Sequence, residues 1–260
     1  MEFLKVAKRR SLWSEIVYIG LNLLLALAIL VVVIAINSPV PAFALVLLSK
    51  WRVLAVRPRY WFVNIQSNMV DIIVSLSLVV LLSAASGAIV AQVIITALYA
   101  FWLLALKPRT KRSLVVAQAG IGVFVGVMAL VTVSYDWYAF VVVVGFWLIG
   151  YNTAKHVLSA YNHEAHLSLL SLLWAFVIAE IGWLTYHWTI AYDLIGTGHI
   201  KLPQVAVFAF ILSFLAERVY NSYAKYGEVR SQDILLPTLL SVSVVLVLVI
   251  FFNDISTSLG

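Results

Sequence analysis

Cysteine is absent from this 260-residue sequence, which excludes disulfides, thiolate metal centres, iron–sulfur clusters and a thiol nucleophile. Charge is nearly as scarce: 11% of residues are Asp, Glu, Lys or Arg, against about 25% in soluble domains. With 64% apolar residues, too little polar surface remains to cover a soluble globule of this size. A Gly-rich phosphate loop, a nucleophile elbow and a DxD-type acidic pair are all missing. Without an acidic pair, Mg²⁺-dependent transfer from nucleotide sugars or diphosphate lipids has no evident site. No lysine falls in the last two apolar stretches, so a retinal Schiff base is also unsupported.

What is present is a series of long apolar runs. They predict an all-α polytopic membrane protein, residues 1–260 forming one integral membrane domain without a linker. The predicted spans are about 16–36, 40–56, 61–82, 88–106, 114–133, 137–154, 167–192, 203–216 and 234–252, nine in all. The runs are continuous rather than alternating, which excludes a closed barrel. The first run follows Lys5, Lys8, Arg9 and Arg10 but is longer than the 7–15 residues of a signal-peptide core, so it reads as a retained span.

The seventeen Lys and Arg residues give the orientation. All except Lys201 gather toward alternate gaps, and basic residues beside spans stay on the cytoplasmic side. The N-terminus is therefore expected inside and the C-terminus outside, in the inner or plasma membrane. The net charge of +6 belongs to this pattern and to contact with anionic headgroups, not to nucleic acid. Membrane lipids are the expected partners, and other membrane proteins remain open.

Ionisable groups inside a membrane span each need a reason. Asp71 lies ten residues into the third predicted span, about 15 Å deep if that span is one straight helix. Asn64, Asn68, Asp71 and Ser75 follow helical spacing and form one stripe. Such a line fits a water-accessible half-cavity reaching Asp71 from the cytosol, or polar side chains that only bond neighbouring helices. The second span has a clean apolar stretch only from Val40 to Leu48, so Lys50 and Arg52 lie inside it or flank a break. In a hairpin turning at Pro58, Lys50 comes level with Asn64 to Asn68, which predicts an ion pair to Asp71 from Lys50 or Arg52. Snorkelling of both to the interface is the alternative.

Asn22 shares a face with Glu15 and Tyr18 in the first span, and Glu180 is a second mid-span acid, on one face with Trp183 and His187. If that face points inward, Glu180 could relay protons or bind a cation; a bonded, protonated Glu180 is the plainer reading. His163, Glu164 and His166 carry the side chains of a metal site, yet lack the His-Glu-x-x-His spacing of zinc peptidases, and read as a polar loop. No cofactor or metal is expected.

Arg57 and Arg59, with Lys107 and Arg109, form two similar basic turns around proline, Leu54–Arg59 and Leu104–Arg109, suited to orientation or to a lipid phosphate. Gly122 and Gly126 set a small-residue face for helix packing. The leading functional expectation is a small-solute or ion transporter, proton-coupled or not, with a cytosol-facing polar cavity reaching Asp71. The alternatives are a membrane-embedded protein that binds or processes lipid headgroups at the inner leaflet, and a non-catalytic scaffold.

Overall fold

The computed structural model describes residues 12–36, 38–161, 165–187, 190–193 and 200–251. The chain is helical almost throughout: α1 (Leu12–Ala35), α2 (Val40–Ser49), α3 (Trp51–Leu54), α4 (Trp61–Ser67), α5 (Met69–Ala84), α6 (Ile89–Phe101), α7 (Arg112–Val133), α8 (Ala139–Leu158), α9 (Leu167–Tyr186), α10 (Gln204–Tyr226) and α11 (Ser231–Phe251). Among the described residues, seven helices are long and apolar enough to cross a membrane, α6 being counted with the π-helical turn Trp102–Leu106 that extends it. An integral membrane protein follows directly. The segment 58–84 adds an eighth candidate, but it is bent by 66°.

That bend corrects the straight third span expected from sequence. At Asn68 the side chain donates to Asn64 O (2.8 Å), and the Ser67 hydroxyl donates to the same carbonyl (2.9 Å). The Asn68 amide turns instead to Ile65 O (3.0 Å). Two side chains thus occupy the acceptor that helix continuation needs, and the helix breaks. Asn64 Nδ2 donates to Val53 O (2.6 Å) and the Trp61 indole to Leu54 O and Val56 O, stapling α4 to the end of α3. These bonds satisfy carbonyls that the end of α3 leaves open.

Other boundaries also shift. The second span is not one helix but α2 and α3, interrupted at Lys50. The seventh ends at Tyr186 rather than Tyr192, because residues 191–193 pair antiparallel with 201–203 as two short strands, β1 (Ala191–Asp193) and β2 (Lys201–Pro203). The eighth overruns the predicted end at Ala216 by ten residues. Glu217 and Arg218 interrupt hydropathy but not backbone hydrogen bonding, and α10 stops only at Gly227, whose φ of +74° is the left-handed cap that glycine tolerates. The two basic turns also differ: the first closes in a 3₁₀ turn, Pro58–Tyr60, whereas the second opens within the π-helical turn Trp102–Leu106.

Two apolar clusters hold the bundle. One joins α1, α2, α5 and α6 through Ile29, Val46, Leu82 and Leu103; the other joins α5, α7, α8, α9 and α10 through Val127, Phe146, Ile178 and Ala209. Glycine makes the second possible. A Cβ on Gly126 would lie 2.9 Å from Ile73, and one on Gly150 would lie 2.9 Å from Ile178 and 3.2 Å from the Ala175 backbone. Close helix approach supplies the packing that lipid tails do not drive.

Candidate functional site

Asp71 occupies the first turn of α5, where the helix dipole favours a carboxylate. Because α4 leans away by 66°, its seven residues rise only about 4 Å along α5 instead of about 10 Å. The straight helix from which the 15 Å depth was inferred is therefore absent, and Asp71 meets Trp102 and Lys107 from the segment that ends α6.

Lys50 Nζ donates to Asp71 Oδ2. Lys107 Nζ reaches the same oxygen at 2.9 Å, and the Trp102 indole N–H approaches Oδ1 at 3.3 Å. Ser75 donates to Asp71 O (2.6 Å) and accepts from the Tyr99 hydroxyl (3.1 Å). One carboxylate thus clasps the break in the second segment (Lys50), α5, and the end of α6 (Trp102, Lys107). The pair with Lys50 was legible from the short apolar stretch. Lys107 and Trp102 were not, because the π-helical turn that swings them inward has no clear sequence signal; its Lys107 N–H bonds five residues back, to Trp102 O.

The Lys50–Asp71 pair is sheltered, and Lys107 is the open member of the cluster. Only 9% of the Lys50 side chain and 11% of the Asp71 side chain are exposed, while Lys107 keeps 33%. Asp71 lines neither of the two cavities described below.

The remaining predicted residues do not converge on Asp71. Arg52 is exposed, and Asn64 and Asn68 serve the α4 break. Asn22 donates to Tyr18 O within α1, while the Tyr18 hydroxyl reaches Leu103 O (3.2 Å). Glu180 and His187 lie on the exposed side of α9, so the inward proton-relay face is corrected; helical spacing says which residues share a face, not where that face points. Arg57, Arg59 and Arg109 are exposed, but Lys107 is spent on Asp71 rather than offered to a phosphate. His163 and Glu164 lie outside the described residues, and His166 is exposed before α9. No group of three or more acidic or His side chains able to hold a metal occurs among the described residues.

The feature that sequence did not reveal is a half-open cavity of about 430 Å³ between α7, α8, α9 and α10. Its walls are Val116, Val123, Val157, Trp174, Phe210 and Phe214, with Ser213, Glu217, Arg218 and Tyr220 toward one end. That polar end carries a bonded rim. Tyr161 donates to Glu217 Oε1 (3.3 Å), Arg112 donates to Tyr161 and Asn221, and the Arg112 guanidinium lies 4.0 Å over the Tyr161 ring. Burial, then the Glu217 carboxylate, push the Tyr161 phenol up to about 12. The cavity and the Asp71 clasp flank α7: Gln118 binds Leu106 O and Arg109 O on the clasp side, and His156 of α8 through its Oε1. A second cavity, of about 690 Å³, lies at the other end of the bundle beside Tyr135, Asp136 and Lys201.

No protein-family model matches the chain, and no curated protein or solved structure matches it significantly.

Proposed function

We propose that this protein is a multi-pass protein of the cell membrane that binds a lipid-like amphiphile from the inner leaflet in the cavity between α7 and α10. The orientation rests on the basic residues, with the N-terminus cytoplasmic and the C-terminus outside. Counting α2–α3 and the bent α4–α5 pair as one crossing each gives nine crossings.

The observation that carries the reading is the form of the cavity. Its volume of about 430 Å³ lies within the range of small-molecule sites. Apolar walls end in a polar rim on the side where Arg112 and Arg218 mark the expected cytoplasmic boundary. A tail in the wall region and a head at the rim match that polarity; a small hydrated solute does not. The carrier reading built on Asp71 has weaker support, because two ammonium groups and an indole surround that carboxylate.

Native mass spectrometry of the protein released from nanodiscs tests the proposal. Wild type should retain a bound amphiphile, and Ala117→Phe, which fills the cavity from α7, should lose it while staying folded. Equal retention by both proteins would reject the site.

A further inference from the structure

We infer that the amphiphile carries a protonated amine as its head, received by Glu217 and Ser213. This inference rests on the binding reading above and adds the chemical class of the ligand.

Glu217 and Ser213 stand four residues apart on α10, hence one above the other on the same face, and both line the cavity. Only 9% of the Glu217 side chain is exposed. A carboxylate this sheltered ordinarily takes short charge-assisted bonds of about 2.7–2.9 Å. Among the described residues Glu217 has none: its Oε1 accepts from Tyr161 at 3.3 Å, and Arg218 Nε stands 3.8 Å from Oε2. Among the described residues the Ser213 hydroxyl oxygen has no hydrogen-bond partner; it is covered where it stands and meets the cavity by rotation about χ1 to another staggered position. Buried polar atoms are almost always satisfied, so two under-bonded acceptors one turn apart in a cavity wall mark a place for donors.

An ammonium group supplies up to three donors and the charge opposite to Glu217. The arginines do not make the site anionic-selective. Arg112 is committed to Tyr161 and Asn221, and Arg218, 46% exposed at the rim, lies 4.9 Å over the Phe214 ring and comes no nearer than 3.8 Å to Glu217. Below the head, Phe210, Phe214 and Trp174 accept an alkyl chain.

The test uses the full chain in phosphatidylcholine nanodiscs and three probes of equal tail length: ω-bromododecylamine, ω-bromododecanol and ω-bromododecanoate. The bromine quenches Trp174 at short range, and Trp174→Phe isolates that signal from the other tryptophans. At equal bilayer loading the amine should bind at least about tenfold more tightly than the alcohol or the acid, as expected for a hydrogen bond to a charged group. Glu217→Gln should erase that preference, and Ser213→Ala should reduce it. Equal quenching by amine and alcohol on the wild type, or tighter binding of the acid, overturns the amine head but leaves the cavity occupied by a tail. If no probe quenches Trp174, the amphiphile reading itself fails.

Discussion

Removing Asp71 should be the most damaging single change at the clasp, and the asymmetry of the cluster sets the order of effects. Asp71 has two cationic partners, whereas Lys50 and Lys107 share one acid. Asp71→Ala leaves the Lys50 ammonium, 9% exposed, unpaired and close to a second positive charge. Breaking a buried pair from one side costs about 3–5 kcal/mol, or roughly two to three and a half decades in the unfolding constant. Lys50→Met removes one partner but leaves Asp71 with Lys107 and Trp102, a loss of about 1–3 kcal/mol. Lys107 is one-third exposed, so Lys107→Met should cost only about 0–1 kcal/mol. The Asp71→Ala/Lys50→Met double variant should be less destabilised than the sum of the singles, by about 1–3 kcal/mol. Equilibrium unfolding in mixed micelles, followed by tryptophan fluorescence, reads all four proteins. The reasoning is refuted if Asp71→Ala unfolds with wild type, or if Lys107→Met is as damaging as Asp71→Ala.

Further outcomes follow from other contacts. Gly150→Ala puts a Cβ 2.9 Å from Ile178 and 3.2 Å from the Ala175 backbone, and should destabilise by about 1–3 kcal/mol; Gly20→Ala meets nothing within 4 Å and should be neutral or stabilising in the same assay. Glu180→Leu, on the exposed side of α9, should fold and unfold at least as well as wild type, since it replaces a carboxylate in an apolar band; a loss of stability would show that Glu180 has a partner. Tyr161, raised to about 12, keeps its proton in the folded state where an unfolded phenol near pH 10 gives it up. Its stabilisation is therefore complete below about pH 10 and vanishes as pH climbs to about 12. The tyrosinate absorbance lost in Tyr161→Phe should titrate near the upper value, and titration near 10 would contradict the burial argument.

Sequence reasoning reached the membrane helices because an unbroken apolar run of span length leaves little other choice. It also reached the Lys50–Asp71 contact, since nine apolar residues from Val40 to Leu48 are too few to carry Lys50 clear of the span. Depth was lost at Asn68. Helical spacing carried Asp71 about one further turn along the span because nothing in hydropathy registers two side chains competing for one carbonyl. Lys107 was legible only as a loop cation until the π-helical turn rotated it toward Asp71. The cavity stayed hidden for a different reason. Phe210, Ser213 and Glu217 are neighbours on α10, but the hydropathy boundary at Ala216 divided them between a span and a loop. The opposite wall comes from α7, α8 and α9, and a void between four helices is a property of packing that no single segment encodes.

An amphiphile with a photoreactive group at the end of its tail gives the most direct reading of where a tail resides. Irradiated with the protein in nanodiscs and mapped by peptide mass spectrometry, it should label Trp174, Phe210 or Phe214, and Ala117→Phe should abolish those adducts. Labelling confined to outward residues such as Leu173, Phe176 and Leu236, unchanged by Ala117→Phe, would mean that the space between α7 and α10 holds no tail.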